Sequence, residues 1–252
     1  MNVFKFYNEG GWSKRKKNTK DAELFEDLRV VAHEYVTHCR KKINKYIAKK
    51  GTHILDFASG PIQYKEYFEY SKNFKTRHCV DFSKDAIKQA KIKLGRRGKY
   101  YCQHFERIKF KKNFFDTIIS LHTIYHINKN KQADVVKRLI SISKKNSPII
   151  IVYSNPDTII NKIKNILLIK KEKNPNDLYF FCHKNEWWNQ FSNLADVKLY
   201  PWRSFASQHQ KLLFTNNFIG QYMFKILIIL EKNFPNFFTK HFQYSLIVLK
   251  KY

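Results

Sequence analysis

The segment 51–61 is the sequence feature that most constrains the fold. It reads as an apolar strand that ends at Asp56 and breaks into a tight turn of small residues at 58–60. A second short apolar segment, 78–81, also ends in a carboxylate, Asp81. A strand, a small-residue turn, a helix and a second strand that ends in an acid are typical of a nucleotide-binding crossover unit. The turn lets a ligand approach the backbone closely, and the acid accepts hydrogen bonds from ribose hydroxyls.

Further along the chain, short apolar strands alternate with helical patterns. The predicted strands are 52–57, 77–81, 100–102, 115–120, 148–153, 197–200 and 244–249, with helices at about 83–94 and 132–144. Short apolar strands of this kind are buried on both faces in parallel sheets. We therefore predict an α/β fold with a seven-stranded, mostly parallel Rossmann-like sheet.

The chain reads as a single domain over 1–252. The first fifty residues, 1–50, form an N-terminal helical cap, in which 21–48 has the periodicity of one long helix that Asp21 could cap. The cofactor-binding core is 51–153. The aromatic-rich regions 154–195 and 203–240 are predicted to be two lid insertions over the carboxyl edge of the sheet.

Composition narrows the class of protein. The chain has 252 residues, and no window holds the roughly 18 consecutive apolar residues of a membrane span, so we expect no membrane insertion. Four widely spaced cysteines fit a reducing, cytoplasmic compartment and give no paired-ligand pattern for zinc. No metal is expected.

A net charge of +28 raises the possibility of a nucleic-acid partner. Of the 48 basic residues, however, 39 are Lys and 9 are Arg, in a chain rich in Asn, Ile, Phe and Tyr. An A/T-rich genome supplies these residues by default, and base readout favours the bidentate fork of Arg. A nucleic-acid partner is therefore the less favoured interpretation.

Four ordered motifs resemble those of class I S-adenosylmethionine (SAM)-dependent methyltransferases. They are the acid and turn at 56–60, the acid that ends strand two in 80–83, the Phe-Asp pair at 115–116, and the histidine-containing segment 120–126. The residues of the turn and of 120–126 also resemble a narrower set of methyltransferases from bacterial surface-polysaccharide gene clusters, including capsular phosphoramidate modification. Two positions depart from the family pattern, since Ala58 and Ile62 stand where glycine is frequent.

The resemblance implies SAM as cofactor, S-adenosylhomocysteine as product, and a set of binding residues. Asp56 is expected near the methionine amino group, Asp81 on the ribose, and His104, or Glu106 two residues on, at the adenine. The expected cofactor-binding residues are Tyr7, Trp12, Asp56, Ala58, Ser59, Gly60, Asp81, Phe82, His104, Phe105 and Leu121.

Two histidines, His122 and His126, follow the fourth strand at the edge where open parallel sheets bind ligands. Either could act as general base toward an alcohol. No Glu accompanies them in the zinc-protease arrangement, which disfavours a metal site. Tyr125 and Arg203 are candidate substrate-binding residues, Arg203 as a clamp for an anionic group or as the partner of a surface carboxylate.

The expected function is methyl transfer to an oxygen of a small acceptor in surface-polysaccharide (capsule) biosynthesis. The expected acceptors are small molecules or sugars linked to a phosphate or a nucleotide. Methylation of RNA is the first alternative. The Asn/Asp-Pro-Pro-aromatic motif of many base-amine methyltransferases is absent, because 121–124 reads Leu-His-Thr-Ile. A catalytically inactive binding protein with the methyltransferase fold is the second alternative, prompted by Ala58 and His104.

Overall fold

The computed structural model describes residues 3–15, 18–167 and 178–252. Its N-terminal region is built of short elements. They are helix α1 (Val3–Phe6), a π-helical turn (Tyr7–Gly11), strands β1 (Lys14–Arg15) and β2 (Asn18–Thr19), which pair antiparallel, and helix α2 (Lys20–Phe25).

The predicted helix 21–48 is wrong in its continuity, because the structure breaks it after α2. Helix α3 spans Val30–Lys42 and continues as a 3₁₀ turn, Ile43–Lys45. In the break, the Asp27 carboxylate accepts hydrogen bonds from the Arg29 backbone N–H (3.3 Å) and from Arg29 Nε (2.9 Å). Such local side-chain bonds compete with the helical backbone pattern. The cap also differs from the prediction, since Thr19 Oγ1, and not Asp21, accepts from the Ala22 N–H.

Within the described residues, seven strands form one sheet, as the sequence predicts. They are β3 (Gly51–Phe57), β4 (Phe74–Asp81), β5 (Gly98–Cys102), β6 (Thr117–Leu121), β7 (Pro148–Ser154), β8 (Ala195–Arg203) and β9 (Tyr244–Lys251). The order across the sheet is β5-β4-β3-β6-β7-β9-β8. Strands β3 to β7 pair in parallel, and β9 is antiparallel to both of its neighbours.

Helices cover both faces of this sheet. Helix α5 (Lys84–Leu94) begins at a Ser83 cap and follows β4, α6 (Gln132–Ile142) precedes β7, and a short α4 (Lys65–Glu69) follows the turn after β3. Ile118 lies in the hydrophobic cluster on the α6 side, and its neighbour Ile119 lies in the cluster on the α3 side. Successive side chains of a strand point to opposite faces, so both faces of β6 are buried. The central strands are therefore the doubly buried kind that their apolar sequences indicate.

The two predicted lid regions differ from each other in the structure. The first contains α7 (Ile159–Ile166) and a 3₁₀ helix (Asn185–Phe191), and its positions 168–177 lie outside the described residues. The second contains α8 (Ser207–Leu213), α9 (Phe218–Asn233) and α10 (Pro235–His241). Phe224 and Leu227 of α9 belong to the same core cluster as Tyr35 of α3. This part of 203–240 is thus a layer on the sheet face and not a lid, because its inward side chains are apolar enough to bury there. Among the described residues, no helix is both long and apolar enough to cross a membrane.

A buried carboxylate fixes α9 to the rest of the molecule. Glu231 Oε1 accepts hydrogen bonds from the Tyr35 hydroxyl (2.5 Å) and from Ser204 Oγ (2.6 Å), and Glu231 also pairs with Lys42. Helices α3 and α9 and the segment after β8 therefore meet on one charged group. Removal of one partner from such a buried pair leaves an uncompensated charge, which is strongly destabilising.

We expect Glu231→Ala to lower the free energy of unfolding by about 3–5 kcal/mol. Glu231→Gln keeps the shape and an acceptor oxygen, so its loss should be smaller. Denaturant unfolding of the three proteins measures both values. Equal losses in the two variants would show that the charge of Glu231, and not its shape, carries the stabilisation.

Candidate functional site

The turn after β3 has a tight, left-handed backbone. Ala58 and Gly60 have positive φ angles of 57° and 56°. The Ser59 N–H donates to the Val80 carbonyl oxygen (3.1 Å), and the Gly60 N–H donates to Asp81 Oδ2 (3.0 Å). The turn is thereby fixed to the end of β4.

Asp81 joins three segments. Besides the bond from Gly60, its Oδ1 accepts from the Ser83 N–H (2.8 Å), next to the start of α5. Burial raises the pKa of the Asp81 carboxyl to about 6, although both of these N–H bonds lower it. The acid that the sequence assigns to ribose recognition therefore also holds the turn in place.

Asp56 has a cationic partner that the sequence analysis did not identify. It forms a buried ion pair with Arg77 of β4, whose Nε lies 3.1 Å from Asp56 Oδ2. Burial raises the pKa of Asp56, and the Arg77 charge lowers it. An arginine inside a strand predicted to be buried was the signal for this pair, since a buried charge needs a partner.

The N-terminal segment lies over the turn. The Trp12 ring stacks on Tyr7 at 4.8 Å between ring centroids, and a Cβ added at Gly60 would lie 3.2 Å from the Trp12 ring. Ser83 Oγ donates to the Tyr7 carbonyl oxygen (3.1 Å). The Tyr7 hydroxyl donates to Asp21 Oδ1 (2.9 Å), and burial raises the pKa of Asp21 to about 7. These contacts place Tyr7, Trp12 and Asp21 at the wall of a shared space.

Flat side chains line the adjoining part of the wall. His104 stacks on Phe82 and on Phe4, at 5.6 and 5.4 Å between ring centroids. Its sequence neighbour Glu106, the alternative adenine contact, lies 3.7 Å from Lys131 Nζ in an exposed ion pair. His104 is therefore part of a cluster of stacked rings at the wall, whereas Glu106 is engaged in an ion pair.

His122 is half-buried and has an unusual backbone conformation, with a φ of 58°. Its Nδ1 lies 2.7 Å from the Tyr125 hydroxyl, and its Nε2 has no hydrogen-bond partner among the described residues. Burial, followed by the charge of Arg203, lowers the pKa of His122 well below the ordinary histidine value. The side chain is therefore a neutral imidazole at neutral pH.

His126 is oriented by a different contact. Its Nδ1–H donates to the Tyr179 carbonyl oxygen at 2.7 Å, because a carbonyl can only accept. The neutral ring then carries its lone pair on Nε2. Burial lowers the pKa of His126, and the bond to Tyr179 opposes that shift. The two histidines do not share a helical face, because only Ile124–His126 forms a 3₁₀ turn and His122 lies outside it.

Arg203 is buried and has a carboxylate partner. Its Nη1 lies 2.9 Å from Glu26 Oε2, and Arg40 Nη2 approaches the same oxygen at 3.6 Å. Two rings, Trp202 and Tyr244, flank the guanidinium at about 5 Å. Arg203 therefore pairs with a carboxylate, which was one of its two predicted roles. The partner, Glu26, is however half-buried and not on the open surface.

The turn, the N-terminal segment and the segment after β6 border a cavity of about 880 Å³ beyond the carboxyl ends of the parallel strands. Every site residue named from the sequence contributes to its wall: Tyr7, Trp12, Asp56, Ala58, Ser59, Gly60, Asp81, Phe82, His104, Phe105, Leu121, His122, Tyr125, His126 and Arg203. The volume lies within the range of roughly 300–1,000 Å³ typical of ligand pockets.

The wall also contains residues that the sequence analysis did not assign to a site: Asp21, Glu26, Tyr64, Arg77, Asn161, Lys164 and Gln243. Most lie on elements remote in sequence from the turn, and no motif marks them. Lys164 Nζ lies 3.2 Å from His209 Nε2, which joins α7 to α8 at the cavity. In the part of the chain that the structure describes, no cluster of three or more His, Cys, Asp or Glu side chains could hold a metal ion.

Gly60 and Gly95 both have a positive φ, but only Gly60 lies next to the Trp12 ring. Alanine at the two positions therefore distinguishes the cost of backbone strain from the cost of contact with Trp12. A methyl group added at Gly60 would lie 3.2 Å from the Trp12 ring, whereas one added at Gly95, with a φ of 53°, would meet open space. We expect Gly95→Ala, at φ 53° and ψ −132°, to lower the free energy of unfolding by about 1–3 kcal/mol, the cost of an L-residue in a sparsely populated backbone region. Gly60→Ala should lose more, because the Trp12 ring must also move. Denaturant unfolding of both variants tests this, and equal losses would contradict a packed contact between Trp12 and the turn.

The comparisons with known proteins agree with this geometry. Residues 55–151 match the family described as a methyltransferase domain. An uncharacterized protein of Methanocaldococcus jannaschii is 23% identical over 145 residues, which are 58% of this chain. The match spans only 55% of that relative's own length.

Solved structures share the fold at low sequence identity. A SAM-dependent methyltransferase from Archaeoglobus fulgidus superposes with a TM-score of 0.56 at 17% identity, over 87% of this chain and 94% of that one. A phosphoethanolamine N-methyltransferase from Haemonchus contortus, in complex with SAM, has a TM-score of 0.53 at 14% identity, over 85% of this chain and 52% of that one. Residues 55–151, which include the turn, Asp81 and both histidines, therefore match a methyltransferase domain, and the chain has a Rossmann-like fold that SAM-dependent methyltransferases share.

Proposed function

We propose that this protein transfers a methyl group from SAM to an oxygen of a small, anionic acceptor. The observation that carries the proposal is one cavity that joins the turn and Asp81 of the methyltransferase domain to an imidazole, His126, with an oriented lone pair. When bound, SAM supplies a methyl group on a positively charged sulfur. The protein's part is to hold donor and acceptor in line, which can supply about 7–11 kcal/mol.

The residues of the turn fit the nucleoside part of SAM. Asp81 is buried at the end of β4, and its carboxylate oxygens can accept from ribose hydroxyls while they retain the N–H bonds of the turn. The ring stack of Phe82 and His104 suits the adenine face. Trp12 and Tyr7 close the N-terminal segment over the turn and exclude water from this side.

The methionine ammonium group needs a carboxylate that is not already neutralised. Asp56 is paired with Arg77, so much of its charge is compensated. Asp21 borders the same cavity, and among the described residues only the Tyr7 hydroxyl bonds to its carboxylate. We therefore assign the ammonium contact to Asp21 in addition to Asp56, since a cation nearby would restore the charged form of Asp21.

Deprotonation of the acceptor hydroxyl is assigned to His126. Its Nδ1–H is occupied by the Tyr179 carbonyl oxygen, which leaves Nε2 to take the proton. His122 is also neutral, and its Nε2 has no described partner, so it remains the second candidate. A positioned base of this kind contributes about 10²–10⁴-fold to the rate.

An anionic acceptor matches the cationic groups of the cavity wall, Lys164 and Arg203. Lys164 Nζ donates to Nε2 of the neutral His209 ring (3.2 Å), and no acidic side chain among the described residues pairs with Lys164. Arg203 adds a guanidinium, although Glu26 already balances it. Phosphate or nucleotide-linked sugars carry the required charge, and the narrower sequence resemblance to surface-polysaccharide methyltransferases makes them the first acceptors to screen.

We expect His126→Gln to lower kcat by about 10²–10⁴-fold with any acceptor found in that screen, without a change in S-adenosylhomocysteine affinity. In the unaltered protein the rate should fall as the pH drops through the pKa of His126, which lies below the ordinary histidine value of about 6.5, because the protonated ring is not a base. Radiometric methyl transfer across pH measures both effects.

His122→Gln and the exposed His33→Gln are the matched controls. A larger loss in His122→Gln than in His126→Gln would transfer the base role to His122. The His33 variant controls for the general effect of removing an imidazole and should keep the full rate.

We expect S-adenosylhomocysteine to bind the protein in the micromolar range by calorimetry, and Asp81→Asn to weaken this binding at least tenfold. The Asn amide has a single acceptor oxygen, so it loses a hydrogen bond either to the N–H groups of the turn or to the ribose hydroxyls. Asp85→Asn, an exposed acid on α5, should bind as tightly as the unaltered protein. Absence of binding by folded protein would favour the catalytically inactive alternative.

A further inference from the structure

Helix α9 has a second apolar face that the fold does not use. Gly220, Phe224, Leu227 and Glu231 point inward, at the spacing of one buried helical face. The outward face is also apolar: Phe218, Ile219, Tyr222, Ile226, Ile229 and Leu230 are all exposed. The exposed fractions of Phe218, Tyr222 and Ile229 are 79%, 65% and 56%.

These outward side chains form a continuous stripe. At about 100° of rotation per residue, the six positions lie within roughly 120° of the helix circumference. The loop after the helix extends the exposed apolar surface with Phe234, and α10 adds Phe237. Contiguous exposed apolar surface of this extent marks an interaction site.

The exposed charged side chains of α9 next to the stripe are basic. Lys225 and Lys232 of α9 are exposed and lie together on one border of the stripe, and Lys211 and Lys240 are exposed on the flanking helices. The single acid of α9, Glu231, points inward to Tyr35 and Ser204. Glu34 on α3 lies 3.8 Å from Lys225 and offsets part of its charge.

The charge distinguishes between two occupants of this face. A second copy of the chain would bring another body with a formal net charge of +28 against it, and like charges oppose that association. An anionic lipid surface attracts the same lysines and accepts the apolar and aromatic side chains at the headgroup level. The helix has 16 residues, too few to span a bilayer and enough to lie along one.

We propose that the outward face of α9 docks the protein on an anionic membrane surface, with Phe218, Tyr222, Ile226 and Ile229 in the headgroup region. The preceding helix α8 borders the cavity through Ser207 and His209 and exposes Leu212 and Leu213 just before α9 begins. A docked bilayer therefore lies beside an element of the cavity wall. The docking itself does not depend on the proposed methyl transfer.

The test is co-sedimentation of the full chain with vesicles. Vesicles of phosphatidylcholine and phosphatidylglycerol provide the anionic surface, and phosphatidylcholine alone the neutral one. The variant is Ile226→Asn with Ile229→Asn, and Ile92→Asn is the matched control, because Ile92 is 75% exposed on α5, away from this face. Thermal unfolding of each variant confirms that it is folded.

We expect binding to the anionic vesicles that moderate salt weakens, at least tenfold weaker binding by the double variant, and unchanged binding by Ile92→Asn. Absence of binding to anionic vesicles overturns the proposal. Equal binding by the double variant also overturns it, since the lysines alone would then account for the attraction. A dimer in analytical ultracentrifugation that the double variant dissociates would assign the face to a second copy instead.

Discussion

The carboxylate of Asp81 connects the parts of the molecule on which the cavity depends. It accepts one N–H from the turn after β3 and one from the residue that caps α5, and it is itself the last residue of β4. These bonds stabilise the backbone at Ala58 and Gly60 in its positive φ angles, which are costly for alanine. The geometry of the turn, and with it the floor of the cavity, follows from this buried acid.

Three further buried or half-buried acids act as anchors, and each of them pairs with a basic group. Asp56 pairs with Arg77 across neighbouring strands, and Glu231 pairs with Lys42 between α9 and α3. Glu26 pairs with Arg203 at the cavity wall. Each of these acids takes one basic group with it, so the three pairs leave the net charge of +28 on the rest of the chain. That excess of basic residues supplies the surface charge on which membrane docking depends.

The two histidines show how contacts assign chemistry to residues of the same type. Both follow β6, both border the cavity, and burial lowers the pKa of both. His126 donates to a backbone carbonyl and so has a defined tautomer, whereas His122 meets a hydroxyl that can donate or accept. The carbonyl belongs to Tyr179, 53 positions along the chain, so no local pattern could have distinguished the two rings.

The sequence by itself determined the sheet, its seven strands and the position of the turn, because apolar strands, small residues and strand-ending acids act locally. Its candidate residues all border one cavity, since the carboxyl ends of parallel strands meet at one edge. Only the tertiary structure decided that the helix 21–48 breaks, that α9 is a sheet layer with a free apolar face, and that Arg77 and Glu26 neutralise Asp56 and Arg203. Those outcomes depend on partners distant in sequence, whose pairing is set by burial and charge and not by periodicity.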